Sequence, residues 1–308
     1  MKGMHSTNPR TALKIVCLLW LSLLIGCSRY EAGQAAFDEG DYQTAYSRWE
    51  RLAQFGDARA QNKLGYLYER GLGVSKNTET AFSWYQKSAK AGLASAQNNV
   101  GLCYLHGIGT DPNPAEARKW FELAVAQSYA DAANNLGVLF NQGRGVPENN
   151  TRAVELFEIA ANQGVAAAQN NLGLLYRQGK GVAKNPDRAM SWFRKAAASK
   201  HAEAMNNLGV MLDNGELVTP DKTTALMLFE SAARAGNDKA AINAAILLER
   251  GVEGVPDLIR AYAWVNIATG RGSTDAEQIK ARLATKISRE EVDRAQRLSL
   301  EIATGNER

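Results

Sequence analysis

The chain has 308 residues, 45% of them apolar, so it can bury a hydrophobic core. Its formal charge is +4, but the leader carries three of the 36 Lys and Arg residues, which leaves 33 against 32 Asp and Glu. This net charge of +1 gives no electrostatic basis for binding nucleic acid, which we exclude as a partner.

The first 26 residues (1–26) predict a targeting segment, because a basic region precedes the apolar run Ile15–Ile25. This run is too short to span a bilayer comfortably. Its end, Leu24–Cys27, resembles the bacterial lipobox, which implies that Cys27 is lipidated and becomes the mature N-terminus. An ordinary secretory peptide or an uncleaved anchor is the alternative. Ser28, in place of aspartate, implies export to the outer membrane in Gram-negative lipoproteins, so we expect a lipoprotein facing the periplasm.

Residues 27–32 predict a short tether, and residues 33–272 predict an array of repeats with a period of 36 residues. One glycine column consists of Gly65, Gly101, Gly137, Gly173 and Gly209, and a second of Gly71, Gly107, Gly143, Gly179, Gly215 and Gly251. The first unit has the shortened form Gly33–Gly40. A fixed period of this length is typical of a stacked-repeat architecture.

Each unit predicts two helices. The first, helix A, is represented by Ala94–His106, in which apolar residues recur at helical spacing. Gly101 interrupts it, although a mid-helix glycine costs about 1 kcal/mol relative to alanine. Its recurrence predicts the close approach of a neighbouring helix. Helix A ends at Gly107, which predicts a left-handed C-terminal residue, and we attribute the further glycine at 109 to turn geometry.

The second helix, helix B, is predicted to start after an Asn or Asp whose side chain accepts a hydrogen bond from the first turn. This column consists of Asp41, Asn77, Asn113, Asn149, Asn185, Asp221 and Asp257. Small alanines then predict close packing of helices A and B. Aromatic residues such as Phe121 and Phe193 are predicted to fill the space between units.

These columns resemble the Sel1-like repeat of the tetratricopeptide superfamily, most clearly in Ala166–Gly181 with Ala189, Trp192 and Phe193. The resemblance implies an all-α, right-handed α-solenoid of about seven helix-turn-helix repeats. It also implies a scaffold or adaptor that binds other proteins. Residues 273–308 depart from the repeat and predict capping helices, with a capping box formed by Ser288 and Glu291.

In TPR-like stacks helix A lines a concave face, which makes polar and apolar columns of helix A candidates for a partner-binding groove. An asparagine offers donors and an acceptor to a peptide backbone. The predicted groove residues are Asn62, Tyr66, Asn98, Leu102, Asn134, Val138, Asn170, Leu174, Asn206 and Val210. A second set bonds either the partner or the neighbouring repeat: Asn99, Asn135, Asn171 and Asn207.

The sequence does not predict an enzyme, a metal site or a cofactor. Only His106 and His201 lie outside the leader, and no CxxC or HExxH motif is present. Cys103 falls at a core position of helix A and predicts a buried small side chain. The expected function is therefore a lipid-anchored periplasmic scaffold for a protein or peptide, in an envelope or secretion assembly. The alternatives are binding of peptidoglycan or exopolysaccharide, and a hydrolase like cysteine-rich relatives whose paired cysteines this chain lacks.

Overall fold

The structure is a computed structural model that describes residues 29–216 and 219–305. Within these ranges it contains sixteen α-helices and no β-strand, which confirms the all-α prediction. Among the described residues, no helix combines the length and the hydropathy that a membrane-spanning segment requires. The predicted leader and the lipidation of Cys27 lie outside the described residues.

The first of two compact units extends through Glu148. Its described helices are α1 (29–38), α2 (Tyr42–Gln54), α3 (Ala58–Arg70), α4 (Thr78–Lys90), α5 (Ala94–His106), α6 (Pro114–Val125) and α7 (Ala130–Gln142). Helix α3 packs against α4 and α5 against α6, which gives the predicted A–B hairpins. Successive hairpins meet where α2 contacts α3, α4 contacts α5, and α6 contacts α7.

The second compact unit starts at Asn149. Its described helices are α8 (Asn150–Asn162), α9 (Ala166–Gln178), α10 (Pro186–Ala198), α11 (Ala202–Asn214), α12 (Lys222–Arg234), α13 (Asp238–Arg250), α14 (Leu258–Gly270), α15 (Thr274–Ala284) and α16 (Arg289–Thr304). Hairpins form between α9 and α10, α11 and α12, and α13 and α14.

Every residue of the predicted N-cap column accepts a hydrogen bond from the backbone N–H three residues later. Asn113, for example, accepts from Glu116 over 3.1 Å, and Asn185 accepts from Arg188 over 2.9 Å. Asp41 and Asp221 do the same, and the hydrogen bonds that they share with Thr44 and Thr224 hold the pKa of both carboxyl groups below its usual value. The column therefore fixes where each B helix begins, as predicted.

The mid-helix glycine of helix A lies under an aromatic ring of helix B. A Cβ atom added to Gly101 would lie 2.5 Å from Cε1 of Phe121, which is fully buried. The same contact recurs for Gly65 with Tyr85, Gly173 with Phe193, and Gly209 with Phe229. The predicted close approach is confirmed. Each ring packs on the glycine of its own hairpin, and Tyr85 also shares a buried cluster with Ala96, Val100 and Cys103 of the next unit, in agreement with the predicted position of the aromatic residue between units.

The two loop glycines have different physical roles. Gly107 ends α5 in the left-handed conformation at φ 70° and ψ 37°, as predicted. Gly109 also has a positive φ, of 67°, and a Cβ added to it would lie 2.0 Å from the backbone oxygen of Thr78. A glycine is needed at 109 for two reasons. The turn requires a positive φ there, and the start of the preceding B helix approaches too closely to leave room for a side chain.

The predicted tether is shorter than the sequence indicates. Residues 29–32 already belong to helix α1. The Tyr30 ring lies 6.0 Å from that of Trp49, whose Nε1–H donates to the Tyr30 backbone oxygen over 3.3 Å. A folded hairpin therefore begins two residues after Cys27 in the chain.

The last two helices close the second unit. Ser288 and Glu291 form the predicted capping box, in which the Ser288 N–H donates to Glu291 Oε2 over 2.8 Å and the Glu291 N–H donates to Ser288 Oγ over 3.2 Å. The hydrogen bond that the Glu291 carboxylate accepts from the Ser288 N–H lowers the pKa of this carboxyl group. Helix α16 packs against α14 and buries Ala295 and Ile302. It covers the hydrophobic edge of the array, as expected for a terminal cap.

Candidate functional site: the helix-A face

The asparagines of helix A form side-chain ladders between successive repeats. In the first unit Asn99 Nδ2 donates to Asn62 Oδ1, and Asn135 Nδ2 donates to Asn98 Oδ1, both over 2.9 Å. In the second unit Asn207 donates to Asn170 over 2.9 Å, and Asn243 donates to Asn206 over 2.8 Å. Each bond joins residues 37 apart in the chain, so it pairs the second asparagine of one repeat with the first asparagine of the previous repeat.

The ladder changes the interpretation of both predicted asparagine sets. Asn98, Asn170 and Asn206 are only 5%, 6% and 9% exposed, so they cannot serve as accessible groove residues. Their place in the groove is corrected: they point between repeats and supply the ladder acceptors. Replacing Asn98 with a bulky charged residue would disrupt the packing between repeats. A loss of binding after that substitution would therefore not identify a groove residue. The alternative role of Asn99, Asn135 and Asn207, bonding to the neighbouring repeat, is confirmed.

The remaining predicted asparagines stay closer to the surface. Asn62 and Asn134 are partly exposed, and so are the ladder donors Asn99 and Asn135. Asn134 Nδ2 lies 3.5 Å from Asn135 Oδ1. Asn171 is also partly exposed and is bonded. A side-chain amide has two N–H groups and a carbonyl, so Asn99 keeps hydrogen-bonding capacity after its one ladder bond.

The apolar side chains one turn beyond the ladder form a partly exposed column. In the first unit it consists of Tyr66, Leu102 and Val138, and in the second of Leu174, Val210 and Ile246. All but Ile246 belong to the predicted groove. We use the name helix-A face for this apolar column together with the ladder donors of the same unit. On each unit it presents apolar side chains beside amides, at one position per repeat.

Charged groups border the helix-A face at the C-terminal ends of the A helices. In the first unit the Arg70 guanidinium lies 5.7 Å from the centre of the Tyr66 ring. In the second unit Arg250 pairs with Asp213, and both Arg282 and Lys286 pair with Glu249 over 2.7 and 2.8 Å. The border in the second unit is therefore a row of ion pairs between repeats, with little net charge of its own.

A column of buried glutamines escaped the sequence analysis. The Nε2 atoms of Gln61, Gln97 and Gln169 donate to backbone oxygens of the preceding B helix, at Ala53, Ala89 and Ala161, over 3.0, 3.4 and 3.1 Å. Each of these carbonyls also accepts from a backbone N–H three residues later, of Gly56, Gly92 and Gly164, so the glutamine adds a second hydrogen bond that ties helix A to the end of the preceding B helix. Alanine or methionine occupies this position in the other repeats. Glutamine therefore does not recur every 36 residues, and the column was not visible in the sequence.

The cysteine, tyrosine and histidine side chains that could take part in chemistry are buried or hydrogen-bonded within the fold. Cys103 is 1% exposed, and burial, with a smaller contribution from Glu69, raises the pKa of its thiol to about 12. The Tyr85 hydroxyl donates to Glu69 over 2.8 Å, and burial raises its pKa. His201 Nδ1 accepts from the Ala204 N–H at the start of α11. Among residues 29–216 and 219–305, no group of three or more His, Cys, Asp or Glu side chains could hold a metal ion.

Comparisons with known proteins agree with this architecture. The Sel1 repeat model matches residues 58–93, 94–129, 130–165, 166–201, 202–237 and 238–273. The crystal structure of a Sel1 repeat protein from Oxalobacter formigenes is 33% identical and covers 79% of this chain and 99% of its own, with a TM-score of 0.74. The structure of c5321, a protective antigen of uropathogenic Escherichia coli with an SLR fold, is 25% identical and covers 92% of this chain and 62% of its own, with a TM-score of 0.68.

Comparison with curated proteins gives no significant match. Proteins built from Sel1 repeats generally mediate protein–protein interactions and are generally not enzymes. The six matched segments and the Oxalobacter structure also support the α-solenoid class predicted from the repeat columns. On the six consecutive matches and this structural relative, the chain belongs to the Sel1 repeat family.

Proposed function

We propose that this protein is a non-enzymatic, lipid-anchored scaffold that binds a protein or peptide through its helix-A face. The observation that carries the proposal is the apolar column, which leaves Leu102 and Val138 partly exposed beside the amides of Asn99 and Asn135. A surface that repeats one apolar position and one amide per repeat suits an elongated ligand. Apolar side chains of the ligand contact the column, and its backbone bonds the amides.

The composition of the column favours a peptide over a sugar. The aromatic residue of the column is Tyr66, and the other positions are the aliphatic Leu102, Val138, Leu174, Val210 and Ile246. Aliphatic side chains bury apolar ligand surface, which a hydroxyl-covered glycan supplies poorly. Binding of peptidoglycan or exopolysaccharide is therefore the less favoured function.

We further propose that the protein is held at the periplasmic face of the outer membrane, in an envelope or secretion assembly. The support comes from the sequence: an apolar leader ends in a lipobox-like Leu24–Cys27, and Ser28 follows. Acyl chains on Cys27 would contribute about 0.8 kcal/mol per buried CH₂, enough for a firm anchor when several are present.

The test of binding compares two leucine-to-lysine variants of the first unit. Leu102→Lys puts a charge in the helix-A face, whereas Leu123→Lys changes a leucine of α6 that is 50% exposed outside that face. We expect Leu102→Lys to reduce capture of the protein partner from an envelope extract at least about tenfold, because a desolvated charge opposes burial. Capture by Leu123→Lys should match that of the unsubstituted protein.

Circular dichroism and melting temperature serve as the folding control, since both leucines are partly exposed and should tolerate lysine. Equal capture by the two variants would remove the helix-A face from partner binding. Sedimentation with purified cell-wall sacculi runs in parallel. Sedimentation that Leu102→Lys abolishes, without any captured protein, would favour the carbohydrate function instead.

A further inference from the structure

Three arginines without an acidic partner meet at the beginning of the described chain. Arg29 belongs to α1, and Arg48 and Arg51 belong to α2. All three line one open cavity of about 340 Å³ whose lining contains no carboxylate. Among the residues that the structure describes, none of the three forms an ion pair, whereas Arg118 and Arg152 pair with neighbouring glutamates.

This cavity suits an anion with several oxygens. Three like charges facing one space repel each other until an anion enters, and guanidinium groups match the oxygens of a phosphate. The neighbouring Ser47 hydroxyl already donates to the Thr44 backbone oxygen over 2.9 Å. The guanidinium groups therefore provide the hydrogen-bond donors for an anion. The site recognises the charge and shape of an oxyanion and not one particular small molecule.

The position of the cavity in the chain indicates which anion it meets. Arg29 follows Cys27 by two residues, so their Cα atoms are at most about 7 Å apart in any conformation. Because α1 includes residue 29, no long linker separates the anchor from the first hairpin. An anchored Cys27 therefore brings the arginines to the depth of lipid headgroups.

An exposed aromatic residue adds to this surface. Phe55 is 84% exposed and follows Leu52, which lines the same cavity, by three residues. Residues three apart at the end of a helix lie on the same side. Phenylalanine is one of the residues found on the membrane-facing side of helices that lie in the bilayer interface.

We propose that Arg29, Arg48, Arg51 and Phe55 form a second membrane contact that binds the phosphate groups of anionic lipids. This contact docks the first hairpin onto the bilayer and so fixes the orientation of that hairpin relative to the membrane surface. This contact goes beyond the proposed partner binding and takes from it only the anchor at the N-terminus. A failure to dock would leave partner capture by Leu102 untouched, so the two proposals fail separately.

The test uses the mature lipoprotein, lipidated at Cys27, reconstituted into vesicles. A Gln54→Cys protein carries an environment-sensitive fluorophore at residue 54, next to Phe55; the Cys27 thiol is blocked by the lipid, and Cys103 is buried and stays unlabelled. The vesicles contain phosphatidylcholine with or without phosphatidylglycerol. We expect a quencher in the lipid to reach the fluorophore only when phosphatidylglycerol is present, and high salt to reverse this.

Two charge-matched triple variants give the control. Arg29→Gln, Arg48→Gln and Arg51→Gln together should shift the docking equilibrium about 100-fold, at roughly fivefold per arginine. Lys180→Gln, Lys184→Gln and Arg194→Gln remove three exposed charges from the second unit and should leave docking unchanged. Equal quenching in both vesicle types, or undiminished docking of the arginine variant, would overturn the proposal. So would binding of inorganic phosphate by the arginines without any docking to vesicles, which would identify a site for a free anion.

Discussion

Gly101→Ala is expected to lower the free energy of unfolding by about 1–3 kcal/mol, the usual cost of overpacking a core. The opposite sign would follow from helix propensity, since alanine is better than glycine by about 1 kcal/mol inside a helix. The structure decides between them, because the new Cβ would lie 2.5 and 2.6 Å from the Phe121 ring. The ring is fully buried, and close-packed protein interiors leave few voids into which a ring could move. Urea denaturation followed by circular dichroism measures the change.

The matched control for Gly101→Ala is Gly270→Ala. Gly270 ends helix α14, and nothing lies within 4 Å of a Cβ built on it. This substitution should leave stability unchanged or raise it slightly. Phe121→Leu should also remove most of the cost of Gly101→Ala when the two are combined, because contacting residues couple. If Gly101→Ala were as harmless as Gly270→Ala, the ring would not be seated on the glycine.

Gly109→Ala is the second substitution with a large expected effect, because it acts between hairpins. The added Cβ would lie 2.0 Å from the oxygen and 2.4 Å from the carbonyl carbon of Thr78, both backbone atoms at the start of α4. A flexible side chain could move aside, but a helix start cannot move without shifting its hairpin. Gly109 also has φ 67°, which an alanine adopts only with strain.

The control that separates strain from contact is Gly92→Ala. Gly92 has φ 93°, but nothing lies within 4 Å of its added Cβ. Gly109→Ala should therefore cost about 1–3 kcal/mol more than Gly92→Ala in the same denaturation experiment. Equal losses would mean that only the backbone conformation matters and that the hairpins do not meet at this glycine.

The local structure of this chain was predictable because its signals are short-range. The N-cap column and the left-handed Gly107 each act within a few residues, and a period of 36 repeats them until the pattern is unambiguous. Helix α5 spans Ala94–His106, as its apolar spacing indicated. The capping box of Ser288 and Glu291 was equally local.

The pairing between helices could not be predicted in the same way. Phe121 is 20 residues from Gly101 and 16 from Gly137, and a repeat pattern places an aromatic ring equally well beside either glycine. The structure selects Gly101, the glycine of its own hairpin. The diagonal bond from Asn99 to Asn62 was also ambiguous, because columns with a period of 36 do not show a spacing of 37.

The exposure of the apolar column of helix A was predicted correctly, whereas the exposure of several asparagines was not. Helix A does present its apolar column to solvent, as Leu102 and Val138 illustrate. For Asn98, Asn170 and Asn206 the prediction of an exposed groove residue was wrong, because they are buried, whereas the asparagine that follows each of them is partly exposed. The arginine cavity was missed because Arg29 of α1 joins Arg48 and Arg51 of α2 only through the packing of the first hairpin.

The most direct test of the proposed function is photo-crosslinking in living cells from single positions of the first unit. A photoreactive amino acid replaces Leu102 or Val138 on the helix-A face, or Leu123 outside it as the control. The prediction is a discrete adduct from residues 102 and 138 that protease removes and muramidase does not, with none from residue 123. Adducts of equal yield from all three positions, or adducts from the face that only muramidase removes, would contradict binding of a protein partner there.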